Sequence, residues 1–145
     1  MCLRVTDDWL KSKTTEKDVV CYKVGLEKNG VIIAPFYEEE YIFGETVCCN
    51  FFEKEIPEQA IFPDEVYYGY HSFVGKEEAF KMRKILSVEC YGSSKYVVME
   101  CVIPAETAYY EGGVCIGGED IFLKIEKLPK GYVSERIRIE KIIER

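Results

Sequence analysis

The sequence predicts an α+β fold, in which a mainly antiparallel, twisted or barrel-like sheet carries one principal helix at about residues 76–86. Strand-like segments, rich in Val, Ile and the 11 Tyr residues, far outnumber helical ones. They do not alternate regularly with helices, as the strands of a parallel sheet do. Because 145 residues is a usual domain size, residues 1–145 are expected to form a single domain, in which residues 1–17 could be a peripheral N-terminal segment.

The first half of the chain contains several strand candidates. Residues 18–25 form a continuous apolar run that is typical of a buried strand. The Asn29-Gly30 pair then predicts a hairpin turn, and the strand that follows it is expected to be short or at an edge because of Pro35. Further strands are predicted at 41–43 and 47–52, and a loop containing two prolines at 53–65.

Residues 66–73 alternate in character and predict one strand that leads into the helix. The alternation puts His71 on the same face as Tyr67 and Phe73. In the helix, Glu77 and Glu78 fall in the first turn, where the helix dipole favours acidic residues. The apolar side of the helix is formed by residues at helical spacing, namely Ala79, Met82, Ile85 and Leu86.

The second half of the chain again favours strands. Residues 96–103 form a near-continuous apolar strand that Pro104 ends. The glycine pairs at 112–113 and 117–118 predict a flexible hairpin or loop. Residues 121–128 and 133–143 alternate as strands do, and a turn is predicted between them at 129–131.

Charge and composition exclude several classes of function. The 26 acidic residues outnumber the 19 basic ones and give a net charge of −7, which disfavours binding to duplex nucleic acid or to an anionic membrane. No apolar run is long enough for a membrane span, and the first residues lack the apolar core of a signal peptide. We therefore expect a cytoplasmic protein.

The seven cysteines are expected to be reduced, because the number is odd and no signal peptide is recognised. The chain has one histidine and no Cys-x-x-Cys pair, so no metal site is predicted. It contains no phosphate loop of the Gly-Lys-Ser/Thr type and no Gly-x-Gly-x-x-Gly motif, and no cofactor is predicted.

Four segments carry a resemblance to other proteins. They read CYKV at 21–24, GYHSF at 69–73 before a short helix, CVIPAETAYYEG at 101–112 and GYVSERIRIEKI at 131–142. In this order they resemble a set of short uncharacterised proteins, a domain of unknown function found in bacteriophages and in bacteria, notably gut Bacteroidetes. The chain departs from that pattern between 113 and 130, where it is longer. The resemblance implies a bacterial or phage-related origin and brings no activity with it.

His71 is the first candidate for chemistry, because an imidazole titrates near neutral pH. Its nucleophile partner could be Ser72, Cys90 or Cys101, and Glu100 could orient the ring, but no known hydrolase motif surrounds them. The alternative is a structural His71 that bonds to backbone groups of the turn at 73–75. A deep pocket with a carboxylate or thiol within reach of the ring would favour an enzyme.

Two further enzymatic hypotheses are open. Cys2 would be an N-terminal nucleophile if Met1 were removed. The hypothesis of an ADP-ribosyltransferase-like, NAD-binding enzyme rests on analogy of the fold alone. It would use positions along the chain that only loosely match such enzymes, namely Tyr22-Lys23, His71-Ser72, and Glu119 or Glu135.

The tyrosines suggest a binding surface. Tyr67, Tyr70, Tyr109 and Tyr110, together with Tyr68, could line a groove for a ligand, although tyrosines in strands often pack one ring face on the core. We therefore expect a small soluble binding or accessory protein with an unknown ligand or protein partner. The alternative is an enzyme, either ADP-ribosyltransferase-like or a small hydrolase using His71.

Overall fold

The computed structural model describes residues 2–34, 39–88, 95–115 and 123–145. Strands account for 49% of it, and the described ranges contain one α-helix, so the predicted α+β class is confirmed. The sheet is open, and the barrel-like form of the prediction is not supported. In the described ranges, no helix is both long and apolar enough to cross a membrane.

The described ranges contain twelve strands, one α-helix and two short 3-10 turns. The helix is α1 (Lys76–Val88), and the turns are Asp7–Trp9 and Ile125–Lys127. The strands are β1 (Cys2–Arg4), β2 (Lys13–Thr14), β3 (Val19–Lys28), β4 (Val31–Ile33), β5 (Glu40–Tyr41), β6 (Thr46–Cys48), β7 (Glu65–Val66), β8 (Tyr70–Phe73), β9 (Lys95–Ile103), β10 (Ala108–Cys115), β11 (Lys130–Ser134) and β12 (Arg136–Glu144).

The strands form one antiparallel sheet in the order β6-β12-β9-β3-β8-β11-β10-β1-β7. The hairpin of β4 and β5 is attached to β3, and β2 is attached to β10. One edge of β3 pairs with β9 along nearly its whole length. The other edge is divided: Tyr22 pairs with Phe73 of β8, whereas Leu26 and the two residues after it pair with β4. On this second edge, residues 23–25 lie between the two pairings and pair with no described strand. A gap therefore opens in the sheet between β8 and β4.

Two apolar cores lie on the two faces of the sheet. The helix-side core lies under α1 and contains Leu3, Val24, Phe73, Ala79, Met82, Leu86, Val98, Tyr110, Val114 and Val133. The second core contains Cys21, Ile32, Ala34, Tyr41, Tyr70, Val97, Met99, Cys101, Ile103, Ile137 and Ile139. Alternate residues of β3 and β9 enter different cores, because successive side chains of a strand point to opposite faces.

The helix prediction is confirmed in position, and three of its four apolar residues are buried. Ile85 is an exception, since it is 52% exposed and does not contribute to the helix-side core. The predicted hairpin turn is also present: Asn29 and Gly30 have positive φ values of 53° and 79°, as a two-residue hairpin turn requires. The strand after it is short, as expected.

The predicted strand at 66–73 is wrong in its continuity. The chain forms β7 and β8 with a bend between them, and Tyr67 and Tyr68 are exposed in that bend. Gly69 has a φ of 133°, a backbone conformation that only glycine adopts readily, and it interrupts the alternation. An added Cβ on Gly69 would lie 2.5 Å from Cγ1 of Val133. Glycine is therefore needed here for both space and conformation.

The segment 1–17 was expected to be peripheral, but its first strand lies inside the sheet. β1 lies between β10 and β7, with Leu3 opposite Val114 on one side and Val66 on the other. Leu3 is fully buried in the helix-side core. Burial of this leucine stabilises the segment within the sheet.

Two predictions for the second half of the chain also need correction. Gly112 and Gly113 lie within β10 rather than in a loop. Glycine is needed at 112 because the backbone of Arg4 passes so close that a side chain would collide with it. The predicted strand at 121–128 contains the 3-10 turn Ile125–Lys127. Its first two residues, and the glycine pair at 117–118, lie outside the described residues.

Candidate functional site

A cavity of about 440 Å³ lies at the gap between β8 and the β4–β5 hairpin. Below it is called the gap cavity. Its wall combines the unpaired edge of β3, the segment after β6, the bend before β8 and the inner face of α1. The described lining residues include Lys23, Val24, Ala34, Glu39, Tyr41, Cys48, Cys49, Phe51, Tyr67, Tyr68, Tyr70, His71, Phe73, Met82 and Leu86.

His71 lines the gap cavity from β8 and is only 8% exposed. Burial, followed by the positive charge of Lys23, lowers the pKa of the imidazole from 6.5 to about 3, while hydrogen bonds to the backbone of Val66 and Gly69 act in the opposite direction. The ring is therefore neutral at physiological pH. Its Nε2 atom is buried without a hydrogen-bond partner in the described structure.

The backbone partners of His71 differ from those expected. The turn at 73–75 was predicted to satisfy the ring, but the N–H of Val74 already donates to the carbonyl oxygen of Lys130 at 3.1 Å. The ring instead bonds to backbone before β8, at Val66 and Gly69. This leaves Nε2 as the ring nitrogen without a hydrogen-bond partner in the described structure, in a residue that lines the cavity.

Lys23 brings a buried ammonium group to the same wall. It is 7% exposed, and its Nζ donates a hydrogen bond to the carbonyl oxygen of His71. Nζ also lies 5.8 Å from the centroid of the Tyr41 ring, within the range of a cation–π contact. No carboxylate among the described residues forms an ion pair with it. Since an ammonium has three donor hydrogens, this group retains capacity for a further acceptor.

Tyr70 and Glu39 form a polar contact at another part of the wall. The Tyr70 hydroxyl donates to Oε1 of Glu39 at 3.2 Å. Burial, and then the nearby Glu39 carboxylate, raises the pKa of Tyr70, so this hydroxyl stays protonated and neutral. The contact joins β8 to the residue that precedes β5 across the gap.

Ser72 is not among the described residues that line the gap cavity. It lies instead near Cys21, which is directly opposite Cys101 in the β3–β9 pair. Burial would raise the pKa of Cys21, but interactions with Cys101 and Ser72 and the charge of Lys23 outweigh it and lower the pKa. Burial and the neighbouring Cys21 raise the pKa of Cys101.

The acidic partners proposed for catalysis lie elsewhere. Glu100 faces Lys141 of β12, and their side chains form an ion pair at 3.7 Å. Glu135 follows β11 and is not part of the described cavity wall. Glu119 and Cys90 lie outside the described residues. The structure therefore does not bring His71, Ser72 and Glu100 together as a catalytic set.

The candidate tyrosines differ in which cavity they line. Tyr70 lines the gap cavity, and Tyr67 lines both this cavity and a second one of about 400 Å³, which Tyr110 also lines. Tyr109 belongs to neither described wall: its ring centroid lies 5.4 Å from that of Trp9 and 5.9 Å from that of Tyr132. It packs in an aromatic cluster on the opposite face of β10 from Tyr110.

Cys2 is part of β1 and lies opposite Cys115 of β10. Burial, followed by the charge of Glu65, raises the pKa of its thiol to about 11. A nucleophilic cysteine needs the thiolate form, which this environment disfavours. Across the described ranges, no group of three or more His, Cys, Asp or Glu side chains is arranged to hold a metal ion.

The sequence analysis did not identify Lys23 as a binding residue and named it only in the NAD-binding hypothesis. A lysine within the apolar run of residues 18–25 nevertheless indicates a buried charge. A charged side chain is rarely buried unless it has a partner or a function.

No family model, curated protein or solved structure matches the chain. The resemblance to short phage and bacterial proteins stays a prediction.

Proposed function

We propose that the chain is a non-enzymatic binding protein, and that it holds a small, largely apolar ligand in the gap cavity. The observation that carries the proposal is a pair of buried polar groups on one wall: the unpartnered Nε2 of His71 and the ammonium of Lys23. A volume of about 440 Å³ falls within the range of small-molecule sites. A bound ligand would supply the partners that these groups lack.

The polar groups define what the ligand must offer. Hydrogen bonds to backbone assign the ring proton of neutral His71 to its other nitrogen, so Nε2 is an acceptor and requires a donor such as an O–H or N–H. Lys23 requires an acceptor, best an anionic one, because charge-assisted hydrogen bonds are the stronger kind. The apolar side chains of Phe73, Met82 and Leu86 suit a hydrocarbon or aromatic body.

An enzymatic role for His71 receives less support. A group with a pKa of about 3 is a weak base near neutral pH, and no described carboxylate or thiol is hydrogen-bonded to the ring. The wider assignment, to an accessory protein of a bacterium or phage, is supported only by the sequence resemblance.

Anilinonaphthalene sulfonate is a suitable probe, because it combines an N–H donor, an anionic acceptor and an aromatic body. We expect one molecule to bind per chain, with fluorescence enhancement. Lys23→Met should weaken this binding about tenfold through loss of a charge-assisted bond. Ala34→Phe, which fills the cavity, should weaken it further.

Lys95→Met is the matched control, because it removes the same charge from an exposed position in β9 and should leave binding unchanged. Thermal unfolding of each variant checks that it is folded, since partly folded proteins also bind this dye. Equal affinities for folded parent, Lys23→Met and Ala34→Phe would contradict the proposal, as would absence of binding to the parent.

A further inference from the structure

The second cavity, of about 400 Å³, lies beside the bend between β7 and β8 and differs in chemistry from the gap cavity. It is called the aromatic–acidic cavity here. Its described wall contains four aromatic residues, two carboxylates and several aliphatic side chains, namely Phe62, Tyr67, Tyr68, Tyr110, Glu53, Glu65, Ile56, Pro57, Ala60, Ile61 and Val66. None of these described lining residues is Lys or Arg.

Two of the rings are held by their hydroxyl groups. Tyr67 donates a hydrogen bond to the Glu65 carboxylate, and Tyr110 donates to the carbonyl oxygen of Glu53 at 2.7 Å. Tyr110 is fully buried and packs against Phe52, with ring centroids 5.6 Å apart. Part of the aromatic wall is therefore positioned before any ligand arrives, which reduces the entropy cost of binding.

The electrostatic character of the cavity is negative. Burial and then Glu65 raise the pKa of Tyr67, and burial and then Glu53 raise the pKa of Tyr110 to about 12. Two flanking cations are already engaged, because Arg4 pairs with Asp64 at 3.4 Å and Lys11 pairs with Glu55 at 3.8 Å. The carboxylates in the wall thus face a site where a positive charge is favoured.

We propose that the aromatic–acidic cavity binds an organic cation of the alkylammonium class. Aromatic faces attract such cations through the ring quadrupole, and aromatic cages recognise quaternary ammonium groups and methylated lysine. A carboxylate adds charge attraction, while Phe62 and Ile61, both strongly exposed, gain burial against the methyl groups of the ligand. The site is separate from the proposed function of the gap cavity, although Tyr67 and Tyr68 contribute to both walls.

The test compares a cation with its neutral carbon analogue. Choline and 3,3-dimethylbutan-1-ol have nearly the same shape, but only choline is charged. We expect choline to bind the whole chain, with chemical-shift changes confined to residues around the cavity. The neutral analogue should bind at least about fivefold more weakly. The same alkylammonium group also occurs on methylated lysine, and a peptide carrying trimethyllysine tests this source. Tighter binding of the peptide than of choline would assign the cation to a protein side chain.

Three variants locate the binding. Phe62→Leu and Glu65→Gln should each weaken choline binding about fivefold, and the glutamine retains an acceptor for the Tyr67 hydroxyl. Phe43→Leu is the matched control, since Phe43 is 46% exposed, compared with 54% for Phe62, and lines neither described cavity wall. Thermal unfolding verifies that each variant is folded. Equal binding of choline and the neutral analogue, unchanged binding in folded Glu65→Gln and Phe62→Leu, or no binding of either cation would overturn the proposal.

Discussion

At the scale of single residues, His71 and Lys23 show how burial determines chemistry. Imidazole is usually half protonated near neutral pH, yet the lack of water and the adjacent ammonium keep this ring neutral. The ammonium is itself buried and bonded to the carbonyl oxygen of the same histidine. His71 thus accepts a hydrogen bond from Lys23 through its backbone, and its neutral side chain offers a second acceptor. A neutral acceptor of this kind suits ligand binding better than proton transfer.

The depressed pKa of His71 predicts a pH-dependent stability. The folded pKa is about 3 and the ordinary value is 6.5, so the unfolded chain binds more protons between these values. The contribution of a neutral His71 is fully present above pH 6.5 and is lost as pH falls towards 3. From neutrality to about pH 5, the free energy of unfolding should fall by about 2 kcal/mol through this residue.

Urea unfolding of the parent and of His71→Gln at both pH values isolates this effect, because other groups titrate equally in the two proteins. At neutral pH, His71→Ala should cost about 1–3 kcal/mol and His71→Gln less, since glutamine can retain a hydrogen bond to the backbone. Between neutral pH and about pH 5, His71→Gln should gain about 2 kcal/mol of stability relative to the parent, because it lacks the titrating ring. A difference that stays constant with pH would show that the ring is not buried in neutral form.

At the scale of secondary structure, the bend between β7 and β8 determines where both cavities lie. It moves Tyr67 and Tyr68 out of the sheet, and both residues contribute to the walls of both cavities. Gly69 makes the bend possible through its positive φ and its close contact with Val133. Without the bend, residues 66–73 would continue as one strand and the tyrosines would alternate across it.

Gly69→Ala should therefore be strongly destabilising, by more than about 2 kcal/mol, because it adds a collision to an unfavourable backbone conformation. Gly44→Ala is the matched control: Gly44 also has a positive φ, of 80°, but an added Cβ would meet nothing within 4 Å. It should cost only about 1 kcal/mol. Chemical unfolding of both variants measures the difference, and equal losses would show that the contact with Val133 relaxes freely.

The elements that can be predicted from the sequence are those with a strong local pattern. Continuous apolar runs predicted β3 and β9, and helical spacing predicted α1. The glycine pair at 112–113 misled the prediction, because the reason for glycine is the backbone of Arg4, which is distant in sequence. The gap cavity was missed for the same reason: it depends on where β8 and β4 leave the edge of β3, and no local pattern encodes that register.

At the scale of the whole molecule, the sheet consists of two halves that meet at β3. One half contains β3, β9, β12 and β6 with the β4–β5 hairpin, and the other contains β8, β11, β10, β1 and β7 with β2. Only the Tyr22–Phe73 pair joins them in the described register. The helix-side core, however, contains Val24 and Val98 from one half and Val114 and Val133 from the other, with α1 packed over both.

This shared core predicts that the two halves unfold together. Three buried cysteines report on them separately, because Cys21 and Cys101 lie in one half and Cys115 in the other. Packing in a common core couples the halves more strongly than one pair of backbone residues can. The three thiols should therefore react with iodoacetamide only after the same opening event, whose free energy equals that of global unfolding.

Peptide mapping by mass spectrometry gives the labelling rate of each cysteine, and the rate in the denatured chain corrects for its intrinsic reactivity. Cys48, which is exposed, is the internal control and should react without protection. Met82→Ala removes a buried side chain of α1 and should lower protection by the same factor at all three buried sites, since its cost of about 2–5 kcal/mol falls on a core common to both halves. Greater loss at Cys115 than at Cys21 and Cys101, or the reverse, would show that the gap in the sheet divides the molecule into two independently unfolding units.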